Sequence, residues 1–305
     1  MCPPINTSCN LKTVVLAIAL TFISSSSPVF ALPNFSNLSG ENQVEISESI
    51  FEVKPTSSTS LYPVYFNSSG TSLEFIFTDE PGEVQINETG MFKESAISVI
   101  DTAELNLKVT NGSLKIEITD GESYPSNGVI HAYKGGNLSI DEDLTLHYDD
   151  LSTKPFGDGL GLQFAGILGE GLDITVKGNT DISLNRVNWT QTESVWDGYG
   201  VYYVGMLAGN ANIDLGPYWN FGSPDTTTSF NIHDINAGIN VGEAFAYGVL
   251  VRKHKDRDSI KNDINIYSNA NISDIHAFSA QDGVMWGTKN GPLGLVEKGL
   301  SSSTF

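Results

Sequence analysis

The sequence predicts an all-β chain wound as a right-handed parallel β-helix. Three observations carry the prediction. Short runs in which apolar and polar residues alternate fill the chain after residue 31, and almost nothing there has helical period. Gly (30 residues), Asn, Asp and Pro separate the runs and supply the turns. From about residue 126, three strand-like pieces recur in the same order. The alternative is a β-sandwich or another antiparallel β domain, which also has short strands and Gly turns. The hairpin-type dipeptides Asn111-Gly112, Asn127-Gly128 and Asn290-Gly291 keep that alternative open.

Residues 1–31 have the pattern of a secretory signal peptide. Lys12 is the single charged residue, Val14 to Ile23 is an apolar run broken only by Thr21, and Val29-Phe30-Ala31 places a cut before Leu32. The run is too short to cross a bilayer, which takes about 20 apolar residues. Both cysteines, Cys2 and Cys9, precede the cut. The mature chain is therefore expected to have no disulfide, no thiolate chemistry and no Cys-based metal site. No second apolar stretch approaches helix-spanning length, so the mature part is not expected to span a membrane by helices.

Residues 32–60 begin Ser/Asn-rich and are read as a mobile segment leading into β structure. Residues 61–125 hold alternating runs such as Leu73 to Phe77, Leu105 to Val109 and Leu114 to Ile118, and are read as a cap or first coils. Residues 126–300 hold the repeats. A first piece follows Gly128, Gly159, Gly200, Gly248 and Gly283. A second piece lies at 137–140, 171–174, 210–213 and 263–266, and a third at 144–146, 182–184, 232–235 and 272–275. One such unit cannot bury its apolar face alone, but stacked units can, as ladders along one axis. Gly allows the corners, and Asn can bond to a matching Asn in the next coil. Residues 301–305 are a tail.

Charge removes one class of function. The chain has 36 Asp+Glu and 16 Lys+Arg, a formal charge of −20. Nucleic acid is not expected as a partner, because phosphate binding needs a basic footprint. The one basic cluster, Arg252 to Asp258, reads as a solvated loop.

The leader ending Val29-Phe30-Ala31, the Cys-free remainder, the acidic balance and Gly/Asn/Asp-rich segments such as 178–184 (GNTDISL) and 269–275 (NANISDI) together resemble the passenger region of a bacterial autotransporter. The resemblance covers roughly residues 32–300. It implies export from a Gram-negative-type bacterium, folding at the cell surface or release from it, and an adhesive role. Members of that family end in a membrane β-barrel of repeated amphipathic strands. Nothing after Asp256 supplies such strands, and residues 299–304 before Phe305 do not alternate. The chain is thus expected to be a fragment, a truncated product or a secreted protein without its own barrel. The last coil would then be uncapped and self-association is expected.

No catalytic set is legible. Gly157-Asp158-Gly159-Leu160 places a glycine where serine hydrolases place the nucleophile, and Gly-x-Ser-x-Gly does not occur. His131, His147, His233, His254 and His276 show no zinc-type local spacing, so no metal or cofactor is expected. His233 and His276 read as outward strand residues. Asp141-Glu142-Asp143 and Asp149-Asp150 read as solvated turns rather than as Ca²⁺ ligands or acid–base pairs. The sequons at Asn34, Asn67, Asn87, Asn111, Asn137, Asn188 and Asn271 are expected by chance in so Asn/Ser-rich a chain.

The candidate binding patch is aromatic: Trp189, Trp196, Tyr199, Tyr202, Tyr203, Tyr218 and Trp219. Such a row either stacks on sugar rings or packs inside the core, and core packing is favoured. The expected function is non-enzymatic: an adhesive or structural solenoid binding host or glycan surfaces. The competing expectations are a polysaccharide lyase or glycosidase on a β-helix, and a non-functional remnant.

Overall fold

In a computed structural model, residues 32–54, 62–89, 95–100, 102–119, 127–150, 163–186, 200–209, 218–225, 227–239, 243–252, 263–279 and 295–298 are described. The chain divides into two compact units, Met1–Leu32 and Pro33–Phe305. The second unit is a parallel β-solenoid in which each coil gives one strand to each of three sheets.

A 3-10 turn, Phe35–Asn37, precedes the first coil: β1 (Glu41–Ile46), β2 (Ile50–Glu52) and β3 (Val64–Phe66). The second coil is β4 (Ser72–Phe77), β5 (Gly82–Thr89) and β6 (Ile97–Val99). The third is β7 (Leu105–Thr110), β8 (Gly112–Thr119) and β9 (Asn127–Ala132). The fourth is β10 (Gly136–Ile140), β11 (Leu144–Asp150) and β12 (Gln163–Glu170), and the fifth β13 (Leu172–Val176), β14 (Thr180–Arg186) and β15 (Gly200–Gly209). The sixth is β16 (Tyr218–Phe221), β17 (Ser229–Ile239) and β18 (Glu243–Arg252). The last is β19 (Asp263–Ile266), the pair β20 (Asn269–Ile272) and β21 (Ile275–Ser279), and β22 (Leu295–Lys298). The sheets run β1-β4-β7-β10-β13-β16-β19, β2-β5-β8-β11-β14-β17-β20 with β21 also on β17, and β3-β6-β9-β12-β15-β18-β22. Every pairing among the described strands is parallel.

The core consists of register ladders. In the first sheet Val44, Phe75, Val109, Ile140, Val176 and Phe221 succeed one another. In the second, Ile86, Ile116, Leu146, Ile182 and Ile232 do the same. All of these are buried. Alternation along each strand puts the neighbouring residues outside, as in the pattern of β7 and β8. The third sheet differs. Val129 to Ala132 and Ala165 to Leu168 are buried consecutively, so both faces of that sheet are covered.

Corners use the residues that tolerate them. Asn111, at φ 56°, turns the chain from β7 in the first sheet to β8 in the second. The Asn111-Gly112 dipeptide is thus a solenoid corner, not a hairpin. Gly82 and Gly112 pair beneath the Phe77 ring, which a Cβ on either would overlap. Matched asparagines bond between coils: Asn67 Nδ2 donates to Asn37 Oδ1 at 2.5 Å, and Asn265 Nδ2 to Asn220 Oδ1 at 3.1 Å.

Several boundaries differ from those read along the sequence. The segment expected to be mobile contains the 3-10 turn, β1 and β2. Phe35 stacks on Phe75 at 5.8 Å and meets Phe51 edge-on at 6.1 Å, which fixes this start against the first coils. Residues 61–125 contribute β3 to β8 to the same three sheets. In the sixth coil the first-sheet strand is Tyr218–Phe221, because Trp219 and Phe221 are the inward apolar pair there; Asn210 to Ile213 lie outside the described residues. The pieces at Gly159 and Gly283 also lie outside them. The third-strand piece at 272–275 is split at Asp274, whose φ of 54° breaks the strand between β20 and β21.

Candidate functional site

The outward face of the second sheet brings together groups that are far apart in sequence. Strands β8, β11, β14 and β17 are in register there. One outward row reads Lys115, Thr145, Asp181, Asn231, and the next reads Glu117, His147, Ser183, His233. Asp181 stands on the middle strand, between the two histidine strands and one row aside. His147 Nε2 lies 2.9 Å from Asp181 Oδ2, and His233 Nε2 lies 3.2 Å from Asp181 Oδ1. Ser183, the short residue between the histidines in their own row, leaves room for the two rings, whose centroids are 6.3 Å apart.

His233 has a second carboxylate on its other nitrogen, and His147 has one nearby but beyond hydrogen-bond distance. His233 Nδ1 is 2.8 Å from Asp234 Oδ2, and His147 Nδ1 is 4.0 Å from Glu117 Oε1, which Lys115 also holds at 3.0 Å. Asp234 reaches His233 because it adopts φ 52°, at the place where the β14–β17 register shifts. Asp is one of the few non-glycine types that adopt this conformation readily, so the turn holds its carboxylate beside the ring. Partial burial works against charge on His233, but Asp234 and Asp181 outweigh it and hold its pKa above the usual histidine value. His147, Asp181 and His233 are each partly exposed, and their ligand atoms all lie within 4.8 Å of one another. Among the described residues they are the group placed to hold a metal ion.

This cluster is not visible as a local motif. Its members come from three coils, 34 and 52 residues apart. The signal that finds it is the repeat itself: aligning the second-sheet strands on Leu146, Ile182 and Ile232 puts His147, Ser183 and His233 in one column.

Among the aromatic candidates whose side chains are described, Tyr218 and Trp219 do not share a face. Trp189, Trp196 and Tyr199 lie outside the described residues. Tyr202 and Tyr203 fall in β15 of the third sheet. Tyr218 opens β16 and is 46% exposed, whereas Trp219 beside it is fully buried. Its Nε1 donates to the Leu172 carbonyl at 2.9 Å, and its ring meets Phe221 edge-on. Adjacent strand residues face opposite ways, so Trp219 is a core residue and Tyr218 a surface one.

The acidic segment Asp141-Glu142-Asp143 is a structured corner. Asp141 accepts from Lys177 Nζ at 2.6 Å and from the Asn111 N–H at 3.0 Å; Asp143 accepts from the Asn179 N–H at 2.7 Å. Partial burial pushes the Asp141 pKa up, but Lys177 and the Asn111 N–H outweigh it and hold it below the usual carboxylate value. These carboxylates therefore tie one coil to the next. The Gly157 to Leu160 segment, His254, and residues 253–258 of the basic cluster lie outside the described residues. His131 is buried in β9, its ring 4.0 Å from that of Tyr133.

Comparison with protein-family models, curated proteins and solved structures finds no match to this chain.

Proposed function

We propose that the chain is an exported, autotransporter-passenger-like β-solenoid that acts at or beyond the cell surface of a Gram-negative-type bacterium. Residues 1–31 are its signal peptide, and the solenoid binds host or glycan surfaces without catalysis. The observation that carries this reading is the pair of outward sheet faces on which polar residues of successive coils stand in register. A repeating row of side chains offers many weak, equivalent contacts to an extended ligand, the condition under which multivalency raises avidity. The acidic balance fits neutral or basic ligands rather than polyanions. Tyr218 and Tyr267 are exposed aromatic side chains among the described residues, and Tyr218 belongs to the candidate patch read from the sequence.

The test has two parts. Protease added to intact expressing cells should degrade the protein, and its N-terminus should begin near Leu32. Purified protein should bind glycan arrays or host-cell surfaces saturably, and Tyr218→Ala should weaken sugar binding. A chain that stays cytoplasmic with residues 1–31 attached, or one that binds no surface, overturns the reading. Sustained release of products from polysaccharides would replace adhesion with the lyase or glycosidase reading.

A further inference from the structure

We propose that His147, Asp181 and His233 form a surface site for a borderline transition-metal ion of the Zn²⁺, Co²⁺, Ni²⁺ or Cu²⁺ class, bridging three adjacent coils. This goes beyond adhesion and does not depend on it.

Three features converge. The first is the donor set, two imidazoles and one carboxylate, which suits zinc-type ions and leaves a coordination position open to solvent. Calcium and magnesium prefer all-oxygen sets and are not the expected occupants. The second is orientation. The Nε2 atoms of both histidines face the same carboxylate, at 2.9 and 3.2 Å. Ligand atoms around a tetrahedral ion with bonds of about 2.0–2.1 Å sit roughly 3.4 Å apart, so small side-chain shifts suffice. The third is the outer layer. A metal-bound imidazole characteristically gives its other N–H to a carboxylate. Asp234 stands 2.8 Å from His233 Nδ1, and Glu117 stands 4.0 Å from His147 Nδ1. Asp234 takes up its position with positive φ, at the shift in register between β14 and β17.

Bound there, the ion would join β11, β14 and β17 through side chains as well as through the backbone ladder. It would also offset part of the negative charge of Glu117, Asp181 and Asp234. A ligand that binds the folded state and not the unfolded one stabilises it by mass action.

The test uses the full chain with Cys2→Ser and Cys9→Ser, so that leader thiols do not take up metal. Equilibrium dialysis against Zn²⁺ should give one ion per chain, Co²⁺ should develop the visible bands of a low-coordinate site, and Zn²⁺ should raise the thermal midpoint. His147→Ala, His233→Ala and Asp181→Asn should each weaken Zn²⁺ binding by more than tenfold and abolish the thermal shift. Asp234→Asn, which keeps all three ligands, should weaken binding about 10- to 100-fold through lost orientation. His254→Ala should change nothing. Circular dichroism of the apo variants identifies any that fail to fold, and for those the His147→Asn and His233→Asn variants give the reading. No stoichiometric Zn²⁺ uptake by the parent chain, or uptake unchanged in the His147→Ala/His233→Ala double variant, overturns the proposal.

Discussion

At the scale of single residues, the solenoid depends on a few positions that do more than fill space. Asn111 turns the third-coil corner with φ 56°, donates its side chain to the Phe77 carbonyl at 3.1 Å, and gives its N–H to Asp141. Asn111→Ala removes the side-chain bond and the residue type that tolerates this conformation. The expected loss is about 2 kcal/mol, read from urea unfolding. His131 is a different case. It is buried to 1% exposure, and burial pushes its pKa down to about 3. The folded imidazole stays neutral while the unfolded chain takes up a proton below about pH 6.5. Protons therefore favour the unfolded state throughout the window from about 6.5 down to about 3, and stability falls as pH falls through it. Compared with His131→Asn, the parent chain should lose about 2 kcal/mol more between pH 7.5 and pH 5. Parallel pH slopes for the two proteins would show that His131 is not the responsible group. His131 read as an ordinary histidine in the sequence, because nothing local marks the third sheet as covered on both faces.

At the scale of elements, the ladders hold the sheets together. Leu146 packs between Ile116 and Ile182 in its row, with no exposed surface. Leu146→Ala should cost about 2–5 kcal/mol, because neighbours fixed on both sides cannot collapse into the cavity. The adjacent row carries an irregularity. Thr180 lies between Leu144 and Phe230, buried, and its hydroxyl has no hydrogen-bond partner among the described residues. Thr180→Val keeps the shape and removes the buried polar atom, so a gain of about 1 kcal/mol is expected in the same assay. The strands themselves were legible wherever period-two alternation met a β-branched or aromatic pattern, as in β4, β7 and β8. The first-sheet strand of the sixth coil was not, because Tyr218–Phe221 is only four residues long and offers a single inward pair, Trp219 and Phe221. Nor was the 3-10 turn, whose Phe35 packs on rings from two later strands.

At the scale of the whole molecule, the charge of −20 sits on a fold that stacks its coils one strand spacing apart, so carboxylates of different rows and coils repel one another. Strands in register lie about 4.8 Å apart, well inside the Debye length of about 10 Å at 0.1 M salt. The structure answers part of this repulsion locally. Lys108 bonds Glu74 at 2.8 Å and Lys177 bonds Asp141. With so few basic residues, most carboxylates are left to the solvent and its ions. Raising NaCl from about 0.01 M to 0.3 M should therefore shift the urea midpoint upward. A midpoint that falls with salt would mean that the exposed pairs outweigh the net repulsion.

The sequence by itself determined the all-β class, the stacking of repeated three-strand units and the identity of most core residues, because alternation and repeat order are local and periodic. It also determined the acidic balance of the chain. Tertiary structure decided which strands share a row, and with that everything assembled between coils. It put Trp219 in the core and Tyr218 at the surface, and it made a corner of the Asn111-Gly112 pair, which had kept the antiparallel alternative open. It also gathered His147, Asp181 and His233 from three coils around one point. The physical reason is that coil length varies, with bonded partners 31 residues apart at Gln43 and Glu74 but 45 apart at Asn220 and Asn265. Register between coils is set by the mutual burial of the ladders, and no fixed spacing in the sequence records it.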